Sequence, residues 1–226
     1  MQSKTFVIKY ANEYYKDYLN IRNFFADYIL ELFSKNDMKN LTFSEWGIGG
    51  GHNMLLLSNY FKCMHGYEGS IKAVKNFNNL IEYHPLKENF YIERVNLAEK
   101  FNTKIKYDIV TYGFFAYVMS NEDLNAVKRN LLNSLNDNGY VIVFDFISRD
   151  NKIKQFRNTK DIKTYKRNLS FWLDYFREFD LVDYRLFDND KVIRYKYLDK
   201  ISLDLNLSYN DDEWVFIATF RKKNEN

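Results

Sequence analysis

Four of the eight glycines of this 226-residue chain lie between residues 47 and 51, in the segment Glu45-Trp46-Gly47-Ile48-Gly49-Gly50-Gly51. A short apolar run, Leu41 to Trp46, leads into these glycines, and Asn53 to Phe61 follows them with the leucine spacing of a helix. The order strand, glycine turn, helix is typical of an open α/β sheet, whose ligands bind at the carboxyl ends of the strands. The segment therefore predicts both a fold class and the place of a binding site.

The alternation of strand and helix continues as far as Phe146. Further strands are predicted over Cys63 to Tyr67, Phe90 to Val95, Asp108 to Tyr112 and Tyr140 to Phe146. Helices are predicted over Ser70 to Ile81 and over Asn121 to Leu135. Ser120 is the predicted N-cap of the second helix, and a turn at 137–139 follows it. Repeated βα units form parallel sheets because their crossovers are right-handed. We predict a Rossmann-like, doubly wound, mostly parallel α/β sheet.

The two ends of the chain differ from this centre. Residues 149–167 are polar and basic, whereas Glu13 to Leu32 has the spacing of one amphipathic helix and Leu169 to Phe179 that of a short aromatic one. Four strand-like runs predict an extended antiparallel C-terminal segment: Leu181 to Phe187, Val192 to Leu198, Ile201 to Tyr209 and Trp214 to Phe220. We expect one domain, with an N-terminal helical cap over residues 1–40, a cofactor-binding core over 41–148, and a substrate-side insert with the final strands over 149–226.

The composition argues against several classes of protein. The 33 Lys and Arg residues against 30 Asp and Glu give a net charge of +3, too small for a dedicated nucleic-acid binder. The single cysteine, Cys63, forbids an internal disulfide, and with only three histidines it makes a structural zinc site implausible. The sequence shows no apolar run of membrane-spanning length and no secretory signal. We therefore expect a cytoplasmic protein without a membrane segment.

Two familiar phosphate-binding loops do not match the glycine segment. A dinucleotide site of the GxGxxG type needs a third glycine where this chain has His52, and its pyrophosphate would lie beside the anionic Glu45. A P-loop needs a Lys followed by Ser or Thr after the glycines, and the chain has none there. An acid at the end of the first strand instead suits a cofactor that carries positive charge nearby.

The segment resembles the first motif of class I S-adenosylmethionine-dependent methyltransferases, an acidic residue followed by GxGxG. The matching positions are Glu45, Gly47, Gly49 and Gly51. In that family an acid at the end of the second strand holds both ribose hydroxyls, and Glu68, followed by Gly69 and Ser70, stands 23 residues after Glu45 (68 − 45). The resemblance further implies that Asn96 and the backbone N–H of Leu97 read the adenine edge, that Tyr112 lies beside the cofactor, and that S-adenosylhomocysteine is the product.

The acceptor side of the resemblance is less complete. Where many small-molecule members of the family have a His in a Leu-Glu-His stretch, this chain has Tyr117, which argues against a His-based mechanism. The candidate catalytic residues are therefore Tyr112 and Tyr117 after the fourth strand and Asp145 near the end of the fifth. No cluster of carboxylates surrounds Asp145, so we predict an enzyme without a metal.

Substrate selection in this family commonly involves the N-terminal helices and the segment after the fifth strand. The candidate substrate-binding residues there are Tyr18, Arg22, Arg157 and Arg167. The positive charge of the three arginines predicts a small anionic substrate, such as a metabolite or a sugar precursor of a bacterial surface polysaccharide, methylated at oxygen or nitrogen. An RNA or protein methyltransferase and a non-catalytic subunit of the same fold remain alternatives, and the extra C-terminal strands leave a homodimer open.

Overall fold

A computed structural model describes residues 25–155, 163–188 and 214–223 of the chain. Its helices are α1 (25–32), α2 (Lys35–Met38), α3 (His52–Leu57), α4 (Ile71–Ile81), α5 (Asn121–Ser134) and α6 (Leu169–Tyr175), with short 3₁₀ turns at Lys87–Asn89 and Ala116–Val118. Its strands are β1 (Phe43–Trp46), β2 (Met64–Glu68), β3 (Phe90–Arg94), β4 (Tyr107–Gly113), β5 (Leu135–Ile147), β6 (Lys152–Gln155), β7 (Lys163–Lys166), β8 (Phe179–Asp188) and β9 (Trp214–Lys222).

Seven of these strands form one sheet in the order β3-β2-β1-β4-β5-β9-β8. The first five in that order pair in parallel, whereas β9 runs antiparallel to β5 and β8 antiparallel to β9. This topology confirms the predicted Rossmann-like, mostly parallel sheet and its antiparallel C-terminal end. The remaining strands, β6 and β7, form a separate antiparallel pair within the basic segment, which the sequence had not indicated.

Local sequence signals explain where the longer helices begin. The Ser120 hydroxyl accepts the backbone N–H of Asp123 at 3.1 Å, and the Asp123 carboxylate accepts the N–H of Ser120 in return, so α5 begins with the predicted cap. Ser70 caps α4 in the same way, because its hydroxyl accepts the N–H of Ala73 at 3.3 Å. Both helices therefore begin directly behind the strand ends where a ligand would bind.

The fifth strand begins earlier than predicted. A turn was expected at 137–139, but β5 already starts at Leu135, which pairs with Tyr107 before the register shifts. In place of the predicted turn, the strand has a local irregularity at Asn138, whose φ is +60°. A Cβ added to Gly139 would lie 2.9 Å from the carbonyl oxygen of Asn136, which explains the glycine at this crowded position.

The sheet separates two apolar layers. Tyr112 and Val143 belong to the layer that packs against α5 and α6, whereas Phe144 belongs to the layer that packs against α1, α3 and α4. Because side chains alternate along a strand, Asp145 lies on the same face as Val143. A carboxylate is thus placed within the apolar layer under α5 and α6.

The basic segment leaves and rejoins the sheet at one point. The backbone N–H of Ser148, just after β5, donates to the carbonyl oxygen of Arg167 at 3.0 Å, next to a bridge between Ile147 and Arg167. Of the four predicted C-terminal strands, the first and last are confirmed as β8 and β9. The runs Val192 to Leu198 and Ile201 to Tyr209 lie outside the described residues, as does the predicted N-terminal helix before residue 25.

Candidate functional site

The carboxyl ends of four parallel strands lie level with one another. Trp46 of β1 stands opposite Tyr67 of β2 and Tyr112 of β4, and Tyr112 stands opposite Val143 of β5. The segments that follow these residues therefore meet at one edge of the sheet. They contain most of the candidate site residues that the structure describes: 47–51, 68–70, 112–117 and Asp145.

The glycine loop after β1 is held by its own backbone. The N–H of Gly47 donates to the carbonyl oxygen of Tyr67 at 2.7 Å, and the N–H of Gly51 donates to that of Ile48 at 2.7 Å. Gly47, Gly49 and Gly51 have φ values of +74°, +52° and +71°, in the left-handed region that favours glycine. The predicted tight turn is present.

The outer two of these glycines also make room for aromatic rings. A Cβ at Gly51 would lie 2.0 Å from the ring of Phe77, so this glycine lets α3 approach α4. A Cβ at Gly47 would lie 2.8 Å from the ring of Phe115, which follows β4. Gly51, predicted as a cofactor contact, therefore has a packing role that its motif position did not indicate.

Both predicted acids are buried beside this loop. Glu68 is 2% exposed, and its carboxylate accepts the backbone N–H groups of Gly49 at 2.9 Å and of Ser70 at 2.8 Å. Glu45 is 4% exposed and accepts the side-chain N–H of Asn53, in the first turn of α3, at 2.7 Å. Asn53 was not among the predicted site residues, and its sequence signal is its position two residues after the last glycine.

The predicted adenine-reading pair shapes its own loop. The Asn96 side chain accepts the N–H of Ala98 at 3.2 Å and donates to the carboxylate of Glu99 at 2.7 Å. Leu97 is buried, and its carbonyl oxygen accepts the side-chain amide of Asn130. The strand end before them adjoins Glu68, whose carbonyl oxygen accepts the N–H of Val95 at 2.9 Å. Asn96 and Leu97 thus lie next to the ribose-binding candidate, with both polar ends of the Asn96 side chain engaged locally.

The three candidate catalytic residues are all buried. Tyr112 and Asp145 are 0% exposed, and Tyr117 is 4% exposed with its ring edge-on to Phe146. Asp145 accepts the N–H groups of Phe146 at 2.7 Å and of Tyr117 at 3.1 Å. Burial raises the pKa of Asp145 to about 7, although these N–H groups and Arg167 oppose the rise, and burial raises the pKa of Tyr112 well above its ordinary value.

The structure thus encloses two of the residues predicted to act as bases, Asp145 and Tyr112, in the layer beneath α5 and α6. Their catalytic role stays a prediction. The carboxylate of Asp145 accepts the backbone N–H of Tyr117, in the segment after β4. Tyr117 lies in that segment and stays the acceptor-side candidate.

Arg167, predicted as a substrate-binding residue, is buried as well. It is 3% exposed, and its guanidinium donates to the carbonyl oxygens of Ala116 at 2.9 Å and Met119 at 2.6 Å and to the Asn121 side chain at 2.9 Å. Through these hydrogen bonds Arg167 holds the segment after β4. Its contact with a substrate stays a prediction. The other predicted substrate residues, Tyr18, Arg22 and Arg157, lie outside the described residues.

Solved structures of other proteins share this arrangement of strands. A structure described as a DhpI–SAH complex has a TM-score of 0.66 at 13% identity and covers 99% of this chain and 96% of its own. An S-adenosylmethionine-dependent methyltransferase from Clostridium acetobutylicum has a TM-score of 0.64 at 12% identity, covering 97% and 98%. The CcbJ methyltransferase from Streptomyces caelestis has a TM-score of 0.62 at 13% identity, covering 91% and 90%.

The chain has the class I methyltransferase fold. At identities this low, the similarity shows the fold alone, so activity has to be argued from the site. No protein-family model matches the sequence.

A curated protein also matches by sequence. The CRISPR-associated endoribonuclease Cas13a of Leptotrichia wadei (strain F0279) is 24% identical over 215 residues, 90% of this chain. The chain spans only 16% of that relative's length. At this identity, and over so small a share of the relative, the match does not show that this chain has the relative's activity.

Among the residues that the structure describes, no three or more His, Cys, Asp or Glu side chains are grouped so that they could hold a metal ion. Over the same ranges, no helix combines the length and the apolar character needed to cross a membrane.

Proposed function

We propose that this protein transfers a methyl group from S-adenosylmethionine to an oxygen or nitrogen atom of a small molecule, leaving S-adenosylhomocysteine. The observation that carries the proposal is the position of Glu68, whose carboxylate lies 2.9 Å from the N–H of Gly49 across the ends of β2 and β1. A carboxylate accepts hydrogen bonds from hydroxyl groups, and a glycine turn lets the backbone approach a ligand closely. The names of solved structures with the same fold include bound SAH, SAM and sinefungin, which supports this choice of cofactor.

The residues at the strand ends fit this cofactor. A Cβ added to Gly69 would meet the carbonyl oxygen of Val95 at 3.6 Å, an ordinary contact distance, so the backbone beside Glu68 is not crowded. Glu68 would hold the ribose hydroxyls there, and the turn from Gly47 to Gly49 would face the methionine end. The ring of Phe115 lies on Gly47 and supplies an apolar wall at that end.

Such a site would work mainly by positioning. When bound, S-adenosylmethionine supplies a methyl group activated by its sulfonium sulfur. The protein's contribution is to fix the two reactants in line and to exclude water, which accounts for a large part of the acceleration in transfers of this kind. Phe115 and Tyr117, both buried after β4, would exclude water from the acceptor side, and the Tyr117 hydroxyl would orient the acceptor.

The acceptor that we propose is a small anion, a metabolite or an activated sugar precursor that carries phosphate or carboxylate. Arg22 and Arg157 support this proposal by their charge, and Tyr18 by its place in the N-terminal segment. The guanidinium of Arg167 contributes positive charge while it donates to Ala116, Met119 and Asn121. Reversing the charge of Arg157 should raise KM for such an acceptor, and an unchanged KM would remove the anionic preference while leaving methyl transfer intact. A bacterial, cytoplasmic protein belongs to the same proposal, in which the extra C-terminal strands either close the pocket or pair two subunits.

Calorimetric titration with S-adenosylhomocysteine tests the cofactor site directly. We expect micromolar binding to the wild type, and Glu68→Ala should weaken it by about 1–3 kcal/mol, the usual cost of losing a charged hydrogen-bond partner. Glu82→Ala is the matched control, because Glu82 is an exposed acid at the end of α4. NADH should not bind. If the wild type binds NADH but not S-adenosylhomocysteine, the proposed function is wrong; binding of neither favours a non-catalytic subunit.

A further inference from the structure

A buried arginine and a buried aspartate lie on opposite sides of one peptide group. The guanidinium of Arg167 donates to the carbonyl oxygen of Ala116 at 2.9 Å. The carboxylate of Asp145 accepts the N–H of Tyr117 at 3.1 Å. That carbonyl and that N–H belong to the same peptide unit, between Ala116 and Tyr117. We call this arrangement the peptide clamp.

The remaining hydrogen bonds fix the clamp to four parts of the fold. Asp145 also accepts the N–H of Phe146 in β5 at 2.7 Å. Arg167 follows β7, and it also donates to the carbonyl oxygen of Met119 at 2.6 Å and to the side chain of Asn121, the first residue of α5, at 2.9 Å. The ends of β5, β7 and α5 and the segment after β4 are therefore joined around one peptide.

The clamp is unusual in what it buries. Asp145 is 0% exposed and Arg167 is 3% exposed. Buried charges are costly to desolvate, and well-packed apolar side chains of similar volume often stabilise a fold as much or more. Stability alone therefore does not account for two charged groups here. Their hydrogen bonds have a geometric effect that apolar side chains could not reproduce, which is to fix the orientation of a peptide.

The fixed peptide adjoins the glycine loop through one residue. Phe115 directly precedes Ala116, and its ring lies so close to Gly47 that an added Cβ would be 2.8 Å from it. On the other side, Phe114 has a φ of +54°, which bulky side chains rarely adopt, and its N–H donates to the carbonyl oxygen of Phe144 at 2.8 Å. The segment 114–117 is thus held at both ends, with the Phe115 ring resting on Gly47.

We propose that Asp145 and Arg167 are positioning residues that hold the Ala116–Tyr117 peptide so that Phe115 stays on Gly47, and that cofactor affinity depends on this clamp. The inference rests on the proposed function, because it takes the loop at Gly47 as the cofactor site. Neither residue touches the cofactor in this account. Each acts through the backbone of the segment that carries Phe115.

The charge of Asp145 links the clamp to pH. The groups that face it are Arg167 beyond β7, the Tyr112 hydroxyl from β4 with Tyr175 of α6 behind it, and the backbone N–H groups of Ala116, Tyr117 and Phe146. Burial raises the pKa of Asp145 to about 7, so the carboxyl takes up a proton within the neutral range. Protonation weakens its hydrogen bond to Tyr117, because an ionised acceptor binds more strongly than a neutral one. Cofactor affinity should therefore fall as the pH falls through about 7.

The test is calorimetric titration of the full chain with S-adenosylhomocysteine at pH 8 and pH 6. We expect the wild-type affinity to fall about tenfold between the two values. One proton changes an affinity by at most about tenfold per pH unit, and Asp145 is mostly protonated only in the unit below its pKa of about 7. Asp145→Asn should bind about tenfold more weakly than wild type at pH 8 and show little further loss at pH 6. The control variant is Asp174→Asn, because Asp174 is an exposed acid on α6. It should bind as tightly as the wild type at both pH values.

A second variant and a second measurement separate positioning from general damage to the fold. Arg167→Lys keeps the charge but loses the guanidinium fork, so it should also weaken binding while keeping the pH response. Without any ligand, hydrogen exchange of the Tyr117 amide should accelerate in both variants, while the amides of β1 keep their protection.

The possible outcomes distinguish this inference from the function on which it rests. If both variants bind S-adenosylhomocysteine as tightly as the wild type, with the same pH response, the clamp has no positioning role although the cofactor site stands. If exchange accelerates equally in β1, the residues are merely structural and the inference is wrong. If the wild type binds no S-adenosylhomocysteine at either pH, the proposed function fails and the inference fails with it.

Discussion

The two halves of the site hold their charged side chains in different ways. Beside β1 and β2, Glu45 and Glu68 bind groups that are 8 and 19 residues away in the sequence. Beside β4 and β5, Asp145 and Arg167 bind groups that are 28 and 51 residues away. The first half is built from one motif and its immediate neighbours. The second half is assembled from distant parts of the chain. Its charged side chains hold a backbone segment, whereas the acids of the first half lie beside the glycine loop.

Gly51 gives the sharpest test of which glycines serve structure. Gly51→Ala should lower the free energy of unfolding by about 2–4 kcal/mol, because the new Cβ would overlap Phe77 and alanine disfavours the left-handed φ. Gly69→Ala, where a Cβ meets nothing closer than 3.6 Å, should change it by less than about 1 kcal/mol. Guanidinium denaturation midpoints measure both. Equal losses would mean that the structural role of Gly51 is not special.

Asn53 tests whether the first half depends on more than its motif. Asn53→Ala should destabilise the protein by about 1–3 kcal/mol, because the buried carboxylate of Glu45 loses a donor at 2.7 Å. Asn78→Ala, an exposed position on α4, is the matched control and should stay within about 0.5 kcal/mol of the wild type. The same denaturation experiment compares them. A loss no larger than that of the control would show that Glu45 does not need this partner.

The pH dependence of stability tests the second half. The pKa of Asp145 is about 7 in the folded protein and near its ordinary value of 3.8 in the unfolded chain. Between these values the folded state holds a proton that the unfolded state has released, so this group makes stability fall as pH rises from about 4 to 7. Asp145→Asn should remove a slope of at most about 1.4 kcal/mol per pH unit. Denaturation midpoints at several pH values measure the slope, and an identical slope in both proteins would place the Asp145 pKa near its ordinary value.

The sequence predicted the features that depend on local patterns. The alternation of strands and helices was sufficient for the parallel sheet, and Ser120 marked the start of α5 because a helix cap is a short-range signal. The glycine turn and the acid at Glu68 followed from a motif and a spacing. These features are set within about 20 residues of chain, a distance over which a pattern is readable.

The sequence could not predict contacts between distant segments. Nothing in the sequence near Arg167 indicates that its guanidinium reaches Ala116, because the two residues are 51 positions apart. Nothing near Asp145 indicates that its carboxylate is fully buried, because burial depends on how the layers pack. Phe115 was not singled out, since its contact with Gly47 joins two loops from different strands.

The hydrogen bond between Ser148 and Arg167 has a consequence for how this fold can diversify. The chain leaves the sheet and returns to it at the same place, so the two ends of the segment 149–166 are fixed next to each other. Loop-closure entropy changes slowly with loop length, so replacing this segment by one of another length would change the free energy of unfolding only slightly. Because Arg157, proposed above as an acceptor contact, lies in this segment, exchange of the segment would change that contact without changing the strands of the sheet.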